Sequence, residues 1–207
     1  MTSIKLCGLS REEDIAAVNT FMPEYIGFVF WQKSKRYVDI ETAKRLKSEL
    51  NEDIKAVGVF VDEDIDVVAD LLVQGVIDMA QLHGKESESY IKNLRELTGK
   101  PIIKAFLVKD EKDIEMANQS IADYVLLDAG MGHGESFDWQ LLSRANRPFF
   151  LAGGLMPENV LDVITNIRPY AVDVSSGIET DGHKDVSKMG HFVADVRLAD
   201  ARIAAGL

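Results

Sequence analysis

Short apolar runs alternate along almost the whole chain with segments whose apolar residues recur every third or fourth position. The first kind reads as strand and the second as helix. Ile4-Lys5-Leu6-Cys7 is a short strand closed by Gly8, and Ser10 caps a helix to about Thr20, with Glu13 completing a capping box. Tyr25 to Phe30 is a strand, followed by a polar loop from Trp31 to Tyr37 and a helix that begins at Asp39 or Thr42 and runs to about Leu50. Strands at Ile54–Val61, Met79–Leu82, Pro101–Val108 and Tyr124–Asp128 alternate with helices at Glu63–Val73, Ser87–Leu97 and Asp110–Asn118. A glycine-rich run from Ala129 to Gly134 and a short helix at Trp139–Arg144 lead to strand Phe149–Ala152. Pro157 then opens a helix carrying Val160, Val163, Ile164 and Ile167, strand Ala171–Val174 follows, and a last helix spans about Ser187 to Ala204.

Strands that alternate with helices form a parallel sheet with right-handed crossovers. These strands are near-continuous apolar runs, as expected when both faces are covered. About eight units of about 25 residues each favour a closed barrel. The expected fold is therefore α/β, a (β/α)8 TIM barrel forming one domain over residues 1–207. A doubly wound open sheet is the alternative. Against it, the first strand–helix turn, Cys7-Gly8-Leu9-Ser10, is no dinucleotide fingerprint.

Two late turns stand out. Strand Phe149–Ala152 stops at Gly153-Gly154, and strand Ala171–Val174 stops at Ser175-Ser176-Gly177. Neighbouring strand ends with glycines and free backbone N–H groups form a cradle for a phosphate. In a β/α barrel the loops after strands seven and eight are the usual phosphate site.

Net charge narrows the partners. At −11 the chain disfavours nucleic acid. It does not exclude a small phosphorylated substrate, which responds to the local field of its cleft. No apolar run is long enough to span a bilayer, and the N-terminus lacks a signal-peptide layout. A single cysteine fits a reducing compartment, so the expected location is the cytoplasm. No Cys/His cluster has zinc spacing, and neither metal nor cofactor is expected. Both a monomer and a homodimer suit such a barrel.

Candidate chemistry lies at the C-terminal strand ends. Cys7 ends strand one before a helix N-terminus, a place that favours the thiolate; the plainer alternative is a small buried hydrophobe. Asp128 ends strand six after four apolar residues, where an apolar setting would raise its pKa and suit a general acid; a loop-capping role is equally open. Arg36, among Lys33, Lys35 and Tyr37, either grips a carboxylate with two prongs or belongs to a solvated basic loop. His83 is most simply a histidine satisfied by backbone. Lys5 shares the inner face with Cys7 and can pair with Asp173 inside the barrel. Together these features suggest a cofactor-free isomerase or lyase acting on a small phosphorylated compound.

The same stretches resemble the phosphoribosylanthranilate isomerase family. The resemblance rests on Lys5-Leu6-Cys7-Gly8, Gly27-Phe28-Val29-Phe30, Lys33-Ser34-Lys35-Arg36-Tyr37 and Gly58-Val59-Phe60-Val61, then on Gln81-Leu82-His83-Gly84, Leu126-Leu127-Asp128 and Phe137-Asp138-Trp139. It continues through Ala152-Gly153-Gly154-Leu155, Pro157-Glu158-Asn159-Val160 and Val172-Asp173-Val174-Ser175-Ser176-Gly177-Ile178-Glu179. These occur in family order over nearly the whole chain. The resemblance implies an Amadori rearrangement with Asp128 as general acid and Cys7 as general base. It also implies that Arg36 holds the anthranilate carboxylate and that the amides around Gly153-Gly154 and Ser176-Gly177 hold the phosphate, with Asp173 and Ser175 beside them.

Two departures from the family pattern are visible. Met131 replaces the first glycine of the Gly-rich run before Phe137-Asp138-Trp139, a run that would close over substrate, and Ala152 stands where serine is common. Two related barrel enzymes fit less well. An indole-glycerol-phosphate synthase would need catalytic Lys and Glu at strand ends and a longer N-terminus. A histidine-pathway aminoaldose isomerase would need an aspartate where Cys7 stands. A non-catalytic ligand-binding barrel would have no use for Cys7 and Asp128 together.

Overall fold

The computed structural model describes residues 1–130 and 139–206. Eight parallel strands close into a barrel, each hydrogen-bonded to the next and the last to the first. They are β1 (Ser3–Cys7), β2 (Tyr25–Val29), β3 (Lys55–Phe60), β4 (Met79–Leu82), β5 (Ile102–Leu107), β6 (Tyr124–Asp128), β7 (Phe149–Ala152) and β8 (Ala171–Val174). The helices are α1 (Glu12–Phe21), α2 (Ile40–Glu49), α3 (Ile65–Val73), α4 (Glu88–Thr98), α5 (Glu111–Gln119), α6 (Pro157–Ile167) and α7 (Val186–Ala204). A 3-10 turn at Trp139–Arg144 stands where a helix would follow β6. The expected barrel is the observed one, and element ends move by only a residue or two.

One cap is corrected. Ser10 and Glu13 fit the capping-box pattern, but the carboxylate that turns back is Asp14. Its Oδ2 accepts the amides of Ser10 and Arg11 at 3.0 and 3.1 Å, and the helix starts one residue later. Glu13 faces outward and pairs with Arg11. The site that needs a carboxylate is the buried one, and Asp14 is 1 % exposed.

Strand alternation sorts the side chains into two layers. Ile4, Leu6, Ile26, Phe28 and Phe60 point outward to the helices, in the large core between sheet and helix ring. Val57, Met79, Ile103, Leu126 and Phe150 point inward and fill the barrel. Its floor is aromatic. Phe150 meets Tyr25, Tyr124 and Tyr170 at centroid distances of 5.4, 5.8 and 5.5 Å, and the Tyr25 and Tyr170 hydroxyls are 3.0 Å apart. Cys7, Val29 and Val59 form a small apolar patch of their own.

One element has no counterpart in the apolar pattern. After β8, a 3-10 turn at Ser176–Ile178 leads into a hairpin of β9 (Glu179–Thr180) and β10 (His183–Lys184). Asp181 and Gly182 form its turn with φ of 52° and 80°, the two positive values of a type I′ connection.

Candidate active site

The C-terminal strand ends surround a cavity of about 430 Å³. Of the residues singled out from the sequence, Cys7, Arg36, Asp128, Gly153, Gly154, Asp173, Ser175 and Ser176 all line it. Gly177 does not. It sits against the Leu155 carbonyl, so closely that any Cβ would collide with that oxygen. Its place joins the loops after β7 and β8.

Gly153 has φ of 97°, and a Cβ there would come within 2.7 Å of Asp128 Oδ1 and 2.8 Å of the Gly130 amide. Glycine is therefore required by both torsion and space. Among the described residues the amides of Gly153 and Gly154 find no acceptor. Asn159 holds the turn from the far side, donating to the Gly154 carbonyl at 2.9 Å and accepting the Met156 amide at 3.0 Å. Two amides on a fixed turn, beside the N-terminus of α6, suit an anion.

Cys7 is 8 % exposed. Its setting differs from the sequence expectation, because α1 begins only at Glu12 and its N-terminus does not directly follow the thiol. Burial pushes the Cys7 thiol above its ordinary pKa, and the ammonium of Lys5 opposes this without overcoming it. Lys5 lies wholly inside the barrel and donates to Asp173 Oδ1 at 3.0 Å, the pairing that strand alternation implied.

Asp128 also departs from expectation. Burial alone would raise its carboxyl, but the His83 ring and the Gly130 amide, 2.9 Å from Oδ1, outweigh it and hold the group below the usual carboxylate range. His83 is thus not merely satisfied by backbone. Its Nε2 lies 3.7 Å from Asp128 Oδ2, and its Nδ1 is 2.9 Å from the Gln81 side-chain amide. Gln81 itself is 1 % exposed, and its buried Oε1 has no partner among the described residues.

Arg36 is fixed rather than solvated. Its Nε and Nη2 donate to the two oxygens of Glu179 at 2.6 and 2.8 Å. That hydrogen bonding raises the guanidinium pKa above its ordinary value. Lys184 in turn donates to Glu179 Oε1 at 2.7 Å and to the Ser175 carbonyl at 2.9 Å, while the Ser175 hydroxyl donates to the Cys7 carbonyl at 3.1 Å. Glu179 and Lys184 went unnoticed as site residues. The available signal was Asp181-Gly182, the dipeptide of a two-residue hairpin, which brings the residues on either side together. The glycine-rich run Met131 to Gly134 lies outside the described residues.

Comparison with known proteins identifies the family. Residues 4–195 match the family described as N-(5′-phosphoribosyl)anthranilate (PRA) isomerase. The N-(5′-phosphoribosyl)anthranilate isomerase of Endomicrobium trichonymphae is 46% identical over 202 residues, covering 95% of this chain and 99% of that one. The crystal structure of the Thermotoga maritima phosphoribosyl anthranilate isomerase superposes with a TM-score of 0.87 at 36% identity, covering 95% of this chain and 99% of that one. A phosphoribosyl anthranilate isomerase in complex with reduced 1-(o-carboxyphenylamino)-1-deoxyribulose 5-phosphate is also 36% identical, with a TM-score of 0.85 and the same coverage. With its barrel and nearly its whole length in agreement, this chain belongs to the N-(5′-phosphoribosyl)anthranilate isomerase family.

Proposed function

We propose that the chain is a phosphoribosylanthranilate isomerase of tryptophan biosynthesis, working in the cytoplasm, with Asp128 as general acid and Cys7 as general base. The observation that carries the assignment of roles is that these two groups share one cavity with the amide turn at Gly153-Gly154 and the fixed guanidinium of Arg36. A substrate with a phosphate at one end and a carboxylate at the other would span them.

The reaction then runs in balanced steps. Asp128 gives its proton to the ribose ring oxygen as the C1′–O bond breaks, and the anthranilate nitrogen pushes its electron pair toward C1′ to form a protonated imine. The thiolate of Cys7 takes the proton from C2′. The C–H electrons move into the new C1′–C2′ double bond, and the imine is the electron sink. The enolamine tautomerises to the 2′-ketone. One group gives a proton and the other takes one, so the two must be tuned apart.

In the free protein the tuning favours the opposite forms, a thiol at Cys7 and a carboxylate at Asp128. The competent form is then a minor one, and substrate binding draws it out. An anthranilate ring over the cavity excludes water from Asp128 and makes its carboxylate costlier.

The direct test follows the fluorescence of the anthranilate group after phosphoribosylanthranilate is generated in situ. Purified wild-type protein is expected to quench it rapidly, and Cys7→Ala and Asp128→Ala to be slower by several orders of magnitude. Undiminished emission with folded wild-type protein would overturn the assignment.

A further inference from the structure

A buried thiol is a poor base, because a thiolate inside the barrel loses its hydration. Among the described residues the charged groups around Cys7 are few. Lys5 lies two residues earlier on the same inward face of β1 and Asp173 on the adjoining β8. Arg36 follows β2, and Lys184 stands on the β9–β10 hairpin. Arg36 and Lys184 both give their donors to Glu179, so much of their charge is already answered. Lys5 likewise answers an acid, but of the three cations it alone stands on Cys7's own strand, on the same inward face and 0 % exposed, with its ammonium fixed on Asp173 Oδ1 at 3.0 Å.

We propose that Lys5 is a positioning residue for the reaction: held by Asp173, its ammonium is the fixed counter-ion of the Cys7 thiolate. The arrangement has a chemical logic. An ammonium has three N–H donors, so Lys5 can hold Asp173 and the sulfur together. Asp173 keeps Lys5 charged inside an apolar barrel, as the raised pKa of the lysine reflects. When C2′ yields its proton the sulfur turns from thiolate to thiol, and Lys5 stays charged throughout. It neither gives nor takes a proton; it lowers the cost of the charge that Cys7 must carry before the step.

The inference rests on reading Cys7 as the base, but its test needs no turnover. Cys7 is the only cysteine, so a thiol reagent reports on it alone. The rate of iodoacetamide alkylation against pH gives the thiolate midpoint. Wild type is to be compared with Lys5→Met/Asp173→Asn, which removes both charges together, and with Lys184→Met. The double variant is expected to titrate about one pH unit or more higher, which is about tenfold slower alkylation below the midpoint. Lys184→Met is expected to shift it less. If Lys5→Met/Asp173→Asn unfolds below the assay temperature, Lys5→Gln/Asp173→Asn keeps a hydrogen bond in the pair and takes its place. An unchanged or lowered midpoint in the folded double variant would overturn the proposal, as would a larger shift from Lys184→Met. A protein that fails the fluorescence assay yet shows the predicted titration would lose the isomerase assignment and keep the ion pairing.

Discussion

Glu179 holds Arg36 along one edge of the guanidinium, through Nε and Nη2, across 143 residues of sequence. A guanidinium offers two-pronged binding along more than one edge. With that edge taken, the proposed carboxylate contact would use the end carrying Nη1, whose direction is set by the hairpin. Glu179→Gln should therefore raise KM for phosphoribosylanthranilate by about tenfold, the scale of a charge-assisted hydrogen bond, with a smaller change in kcat. In an Arg36→Met background the same substitution should add little. Steady-state kinetics of the four proteins check this, and equal effects in both backgrounds would show that Glu179 acts elsewhere.

The protonation states of the free protein predict an unusual pH profile. Cys7 is shifted upward and Asp128 downward, whereas the reaction needs the thiolate and the protonated acid. Between the two pKa values the thiolate fraction rises with pH just as the protonated-carboxyl fraction falls, so their product is constant. The expected kcat/KM is flat through neutral pH. Its acid limb reports the carboxyl, falling as Asp128 becomes fully protonated in all forms and the thiolate fraction keeps shrinking. Its alkaline limb reports the thiol. A sharp maximum at neutral pH would contradict this ordering.

His83→Asn tests what depresses Asp128. Burial would by itself raise that carboxyl, and the imidazole contact opposes it. Its loss should move the acid limb of kcat/KM to higher pH. Because the folded-state pKa lies below the ordinary one, Asp128 adds stability above the unfolded-state pKa, and the contribution is lost as pH falls through the folded value. The variant should lose part of that gain, seen as a smaller difference in Tm between neutral and acidic buffer.

Gly153→Ala should damage stability and activity together. A φ of 97° is costly for alanine, and the new Cβ would crowd Asp128 Oδ1. A loss of at least about 1–2 kcal/mol in urea unfolding is expected from the torsion alone, with kcat/KM down more than about tenfold as Asp128 is displaced.

Lys104→Met probes the loop that carries His83. Lys104 donates to Glu86 Oε2 at 2.8 Å and to the Gly84 carbonyl at 2.7 Å, and Glu86 receives the amides of Asp62 and Gly84. The Glu86 side chain is 1 % exposed, so removing its cation leaves a buried carboxylate. Denaturant melts should show a loss of about 3–5 kcal/mol. Lys104→Met/Glu86→Gln should recover much of it.

The barrel was legible because its signals are local. Strands such as Tyr124–Asp128 and Phe149–Ala152 are apolar on both faces, and Gly153-Gly154 marks where one ends. The Asp14 cap was misplaced by one residue because Glu13 also satisfies the pattern, and only burial tells them apart. The positions of Cys7 and Asp128 could be read, but the signs of their shifts could not. Burial sets the sign for Cys7 against the opposing Lys5, and the His83 ring with the Gly130 amide sets it for Asp128; tertiary structure brings about both. Glu179 and Lys184 stayed hidden for a related reason, since their meaning lies in contacts with Arg36 and Ser175 on other loops.

The contact between Lys5 and Asp173 joins the first strand to the last. A nascent chain therefore carries its reactive thiol from the first residues translated, but lacks the carboxylate that fixes the neighbouring lysine until residue 173 has left the ribosome. The proposed counter-ion is therefore fixed only on barrel closure, and partly made chains and fragments ending before β8 carry an ordinary exposed thiol without it.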